Sequence, residues 1–279
     1  MRIASYNVMS GGFDGYDHES SVPQRLPELT LAIQELRADV VGLVDTFRWD
    51  EVFTTDDLCR QFGYKYAFCV SLDDERLKEL GHDNGLTLLS NVEMADVRAV
   101  RVATRNAISA RLLGERAEVS IILAYLDDLS EDVRVTQMRT LSSEINSDEP
   151  TVVVGDLNSI KASEVTNLAR SLSRVYETNP GLAGALEPVV ADMQRGEVVA
   201  LLESLGLRDA DPMGRPTLPT QLFPIKLDGA LLRVDYCFHS PSVTVRNFTV
   251  PDSATFQRAS DHLPIAFDAE VDPGAARPR

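Results

Sequence analysis

Short strand-like segments rich in β-branched residues recur along the chain, with helical periodicity only at intervals, and this alternation constrains the fold more than any other feature. RIASYNV (2–8), VVGLVD (40–45), Tyr64–Val70, Gly85–Ser90, Val97–Val102, Ala107–Leu113, Val119–Leu126 and TVVV (151–154) read as strands. RVDYCFHS (233–240) and Val243–Val250 read as a strand pair, and LPIAFDAEV (263–271) as the last strand. Helical spacing appears in Pro23–Val40 through Leu26, Leu29, Ile33 and Leu36, and in Glu164–Val175 through Val165, Leu168, Leu172 and Val175. Another helix is expected after a Ser130 cap, with Glu131 and Asp132 in its first turn, and one over Glu197–Leu205 stopped by Gly206. So many strands with so few helices predict α/β layers rather than one doubly wound sheet. No stretch rich in Pro, Gly or Ser divides the chain. The expectation is one domain over residues 1–271, with 272–279 a frayed tail.

The net charge of -16, from 43 acidic against 27 basic residues, is spread without a basic run, and only four residues are lysines. Grip on duplex DNA comes from neutralising phosphates with Lys and Arg, so the charge disfavours nucleic acid as a partner. No segment approaches the roughly 20 apolar residues of a membrane span. MRIASYNV runs directly into strand-like sequence, and the three cysteines, Cys59, Cys69 and Cys237, lack metal-binding spacing. Reduced thiols and a cytoplasmic location are the expectation. Oligomeric state leaves no mark in the sequence.

The apolar strands share a second property: they end on polar side chains. Asn7 ends the first strand and Asp45 the second, Asp156 and Asn158 follow VVVG, Asp235 lies in RVDYCF, and Asp261-His262 precedes LPIAF. Each has a bland explanation as a turn residue, a helix cap, a partner for Arg233 or a loop histidine. Jointly they suggest chemistry. Carboxylate and amide oxygens gathered on one rim suit Mg²⁺, a hard cation that takes few protein ligands. A histidine held by an Asp can face developing charge, and together these are the parts of phosphate-ester hydrolysis.

SYNV, VVGLVD, the Asn84-Gly85 pair, LAYLDD followed by RVTQ, VVVGDLNS, RVDYCFHS and SDHLPI occur in this order from residue 3 to residue 267. In these pieces the chain resembles the endonuclease/exonuclease/phosphatase superfamily. The resemblance implies a four-layered α/β sandwich, two packed, mainly antiparallel sheets flanked by helices. It implies Asn7, Asp45 and Asp261 around a Mg²⁺ or Mn²⁺ ion, Asp261 in the ion's shell or just behind it. Asp156 would orient or deprotonate the attacking water, Asn158 would hydrogen-bond a phosphoryl oxygen, and Asp235 would orient His262 across the site from the metal. Two positions depart from the family's usual pattern: Asp45 stands where Glu is common, and Tyr125 where His is common.

The expected function is divalent-metal-dependent hydrolysis of a phosphate ester, on a small phosphorylated substrate rather than duplex DNA. A biosynthetic enzyme using the metal as a Lewis acid, a nuclease and a binding module with a dead site are the competing readings. Pro180–Arg195 and Pro212–Lys226 are expected to shape the pocket, with no indication of its ligand.

Overall fold

The computed structural model describes residues 1–15, 17, 19–71, 84–115, 117–178, 180–224, 227 and 229–271. Two six-stranded sheets face each other. The first holds β1 (Arg2–Asn7), β2 (Val40–Val44), β3 (Tyr66–Val70), β4 (Leu86–Ser90), β11 (Val243–Thr249) and β12 (Ile265–Val271), in the order β11-β12-β1-β2-β4-β3. The second holds β5 (Glu93–Val102), β6 (Arg105–Leu113), β7 (Glu118–Tyr125), β8 (Thr151–Asp156), β9 (Arg208–Asp209) and β10 (Asp235–His239), in the order β5-β6-β7-β8-β10-β9. Each sheet is antiparallel except for one central parallel pair, β1 with β2 and β7 with β8.

Alternation along the strands sorts side chains between layers. In β8, Val152 and Val154 join Ile3, Val44, Leu123 and Phe267 between the sheets, while Val153 points outward to a separate helical layer. Outside the first sheet lie α1 (Leu26–Glu35), α2 (Trp49–Val52), α3 (Thr55–Phe62) and α8 (Phe256–Ala259), packed on Tyr6, Val41 and Leu43. Outside the second lie α4 (Glu131–Leu141) and α7 (Glu197–Ser204), packed on Val153, Tyr236 and Phe238. The result is helices, sheet, sheet, helices: the expected four-layered sandwich.

A further apolar cluster stands beside the strand ends. It is formed by α5 (Val165–Thr178), α6 (Pro180–Met193) and Leu218, Leu227, Ala230, Leu232 and Val234, with Phe223 packed against them.

Several elements differ from expectation. RVDYCFHS and Val243–Val250 do not pair: β10 lies between β8 and β9, and β11 pairs with β12 in the other sheet. The turn between them resembles a hairpin connection, yet it carries the chain across the sandwich, because β10 fills the free edge of β8. The first helix starts at Leu26 and ends at Glu35, with Pro27 in its first turn. Ser130 occupies the position before α4 without capping it through its side chain. The Glu131 N–H donates instead to Asp192 of α6. Helices α2 and α3 went unpredicted, although Thr54 and Asp57 form a reciprocal capping box before α3 and Gly63 ends it in a left-handed conformation. Trp49 fixes α2 in place, stacking on Phe62 at 5.2 Å and donating from Nε1 to the Gly11 carbonyl. The expected tail, 272–279, lies outside the described residues.

Candidate active site

The two parallel pairs point their carboxyl ends to the same side of the sandwich. Register sets them level: Asn7 pairs with Val44 just before Asp45, and Tyr125 with Asp156. Asp156 in turn pairs with Asp235 at the start of β10. Asn7 lies on the inward face of β1 with Ile3, and Asp156 on the inward face of β8 with Val154. They meet across the gap, Asn7 Nδ2 donating to Asp156 Oδ2 at 3.0 Å. Gly155, which precedes Asp156, has φ +139°, and a Cβ there would sit 1.9 Å from the Ala124 carbonyl oxygen. Only glycine lets β7 and β8 stay this close at the rim.

Asp156, Asp235 and His262 form one buried group with ligand-type atoms within 4.8 Å of one another. His262 Nδ1 is 2.8 Å from Asp235 Oδ2, and His262 Nε2 is 4.0 Å from Asp156 Oδ2. Burial alone would lower the His262 pKa, but Asp235, Asp261 and Asp156 outweigh it and push it up to about 10. The upward shift favours the charged ring, with Nδ1 facing Asp235. Burial, with the nearby Asp235 charge, raises the Asp156 pKa, opposed by His262 and by the Asn158 N–H donating to Oδ1 at 3.0 Å. Asp235 Oδ1 is buried with no partner among the described residues, and the Asp235 N–H reaches Thr217 Oγ1 at 3.3 Å.

Asp45 stands on the other side of Asn7. Its backbone is left-handed, φ 60°, which turns the carboxylate back toward the loop after β1. There Oδ2 accepts the Ser10 N–H at 2.6 Å. With its amide nitrogen facing Asp45, Asn84 donates to Oδ1 at 3.0 Å and accepts from Arg105 Nη2 at 3.3 Å. Burial pushes the Asp45 pKa up to about 6; the Ser10 N–H lowers it and the neighbouring Asp261 charge raises it. Asn7 Oδ1 accepts the Met9 N–H at 3.0 Å, using one of its two lone pairs. The Asp45 and Asp261 carboxylates and the Asn7 amide oxygen, all lining one cavity, are a donor set that fits a hard divalent cation. The residues present fit the metal.

Asn158, left-handed at φ 48°, donates from Nδ2 to the Leu126 carbonyl at 3.1 Å, and its amide carries a second N–H. Tyr125 lies under Arg105, whose guanidinium carbon is 4.1 Å from the ring centroid. Every residue named from sequence (Asn7, Asp45, Tyr125, Asp156, Asn158, Asp235, Asp261 and His262) borders one cavity or, for Asp235, backs a residue that does. The partner foreseen for Asp235 is not Arg233, which pairs with Glu164 and Asp209 at 2.7 and 2.8 Å.

Sequence reasoning missed Arg105, which nothing in ATRNAIS distinguishes from a surface strand residue. It also missed the support under the segment that follows β8. Glu131 accepts from Ser159 Oγ at 3.0 Å and from the Val198 N–H at 2.9 Å. Arg134, wholly buried, donates to Glu131 at 2.6 Å and to Asp192 of α6 at 2.9 Å. Acidic Glu131 was visible only as a first-turn residue.

The model of the Endonuclease/Exonuclease/phosphatase family matches residues 4–262. The chain belongs to this family. Its members are phosphoesterases, so the chain is a hydrolase-fold enzyme of that class. Similar solved structures include an endonuclease/exonuclease/phosphatase from Beutenbergia cavernae, 17% identical with TM-score 0.67, covering 97% of this chain and 71% of that one. The 3'-5' exonuclease of Neisseria meningitidis is 19% identical with TM-score 0.62, covering 98% of this chain and all of the other. The human Nocturnin catalytic domain, determined with a bound sulfate, is 16% identical with TM-score 0.65, covering 98% and 94%. Among curated proteins nothing matches. At these identities the likeness concerns the fold. No helix among the described residues is long and apolar enough to cross a membrane.

Proposed function

We propose that this member hydrolyses the phosphate ester of a small substrate with Mg²⁺ or Mn²⁺, within a single domain over residues 1–271. The observation that carries the reading is the contact across the sandwich: Asn7 on one sheet holds Asp156 on the other, 4.0 Å from His262. A bare turn residue has no reason to be paired across the core in this way.

Asn7, Asp45 and Asp261 would hold the ion, whose charge neutralises the phosphoryl oxygens. Asp45, one N–H already on each oxygen and its reach shorter than that of Glu, would act on the ion through water. Asp156, its pKa raised toward neutrality by burial, takes a proton from the attacking water. The free N–H of Asn158 and the hydroxyl of Tyr125 orient the phosphate. The His262 imidazolium, kept charged by Asp235, offers positive charge to the phosphoryl oxygens from the opposite side. The net charge of -16 supports a small substrate over duplex DNA. The exonuclease among the similar structures makes a nucleic-acid end the competing substrate. Three free cysteines suit the cytoplasm.

The test is a panel of sugar phosphates, phospholipids, oligonucleotides and bis-p-nitrophenyl phosphate, each with Mg²⁺, Mn²⁺ or chelator. Chelator-sensitive turnover of small esters above that of duplex DNA is expected. No hydrolysis of any ester with either metal contradicts the reading.

A further inference from the structure

The cavity that holds the polar set, about 340 Å³, has two unlike ends. Carboxylates, amides and His262 occupy one. The other continues over Leu172, Val190, Met193, Leu218, Leu227 and Leu232, all of which belong to the apolar cluster beside the strand ends. Helix α6 supplies its share by spacing: Leu186, Val189, Val190 and Met193 are at i, i+3, i+4 and i+7, one face of a helix. Half-buried Phe223 lines the same apolar end. A neighbouring cavity of about 490 Å³ shares Leu232 with this one, and its Lys161, Glu164, Asp209 and Arg233 pair with one another.

We infer that the substrate is a phosphate ester of an aliphatic alcohol, its phosphate on the polar rim and its hydrocarbon chain along the apolar wall. This rests on the phosphoesterase reading and specifies its substrate class. A nucleobase would bring ring nitrogens and exocyclic groups into this end, where the side chains that line it among the described residues are apolar, and unpaired buried polar groups are costly. A hydrocarbon chain has no such groups and gains from every methylene removed from water. In the reaction, water's oxygen bonds to phosphorus, the P–O bond to the alcohol breaks, and the proton ends on the released alcohol.

The experiment is calorimetric binding of methyl-, butyl- and octylphosphonate, with adenosine monophosphate as comparison, all in Mn²⁺, alongside hydrolysis of the matching alkyl phosphates. Burial of methylenes is worth about fourfold each, so octylphosphonate should bind on the order of 10²-fold tighter than butylphosphonate. Phe223→Asp and, independently, Leu186→Gln should flatten this dependence, with folding followed by circular dichroism. Equal affinities along the wild-type series, or adenosine monophosphate binding tighter than octylphosphonate, overturn the substrate class while leaving the phosphoesterase reading standing. Length-dependent binding with no ester hydrolysed overturns the phosphoesterase reading and the substrate assignment with it.

Discussion

The polar rim and the apolar wall line one cavity, yet they are built differently. The rim hangs on central strands of both sheets, whose positions are fixed by ladders on either side and by the core between them. The wall consists of α5, α6 and an irregular segment that no sheet supports. The proposed chemistry, which tolerates little misplacement, sits on the strand ends, and the proposed substrate wall sits on helices and an irregular segment outside the sheets. One buried network joins them: Glu131 holds Ser159 at the end of the rim, and Arg134 ties it to Asp192 of the wall.

That junction is where the comparison breaks most easily. Arg134→Leu leaves Glu131 buried and uncompensated, at a cost of about 3–5 kcal/mol. The melting temperature should fall on the order of 10 °C in calorimetry. A fall within about 2 °C means that rim and wall are held by packing alone.

The rim's own contribution is sharpened by His262→Ala. Turnover should drop about 10²–10³-fold with the melting temperature little changed. Near wild-type turnover in a folded variant removes His262 from the chemistry.

A smaller effect is expected at Asp45. Asp45→Ala should weaken Mn²⁺ binding about 10–100-fold by calorimetry, as loss of an outer partner does. Asp45→Glu, with reach enough to bind directly, should tighten Mg²⁺. Unchanged Mn²⁺ affinity in Asp45→Ala places the ion elsewhere on the rim.

The same contrast decides what could be read from the sequence. Asn7, Asp45 and Asp156 stood out because each ends an apolar run, and a strand's direction carries its last residue to the rim, while His262 stood out immediately before the run LPIAF. Helix α6 was invisible as a helix because Pro180, Gly181, Gly184 and Pro188 all argue against one. Tertiary burial of Val190 and Met193 overrides that propensity. The spacing of Leu186, Val189, Val190 and Met193 was the available signal, hidden by the proline among them. The pairing of β10 was misread for a different reason. Two adjacent strand-like runs say nothing about which sheet each joins, and only the register of Asp235 against Asp156 settles it. Arg105 and the Glu131–Arg134–Asp192 network arise from contacts between residues 3 to 61 apart, without a shared motif.

The account turns on Asp156, where the two sheets meet through Asn7. Its most direct test is kcat/KM of Asp156→Asn against wild type on the best ester of the panel, in saturating Mn²⁺, with folding confirmed. An amide cannot accept the proton of the attacking water, so a loss of about 10²–10⁴-fold is predicted. Activity within a few-fold of wild type would contradict the claim that these strand ends form the catalytic site.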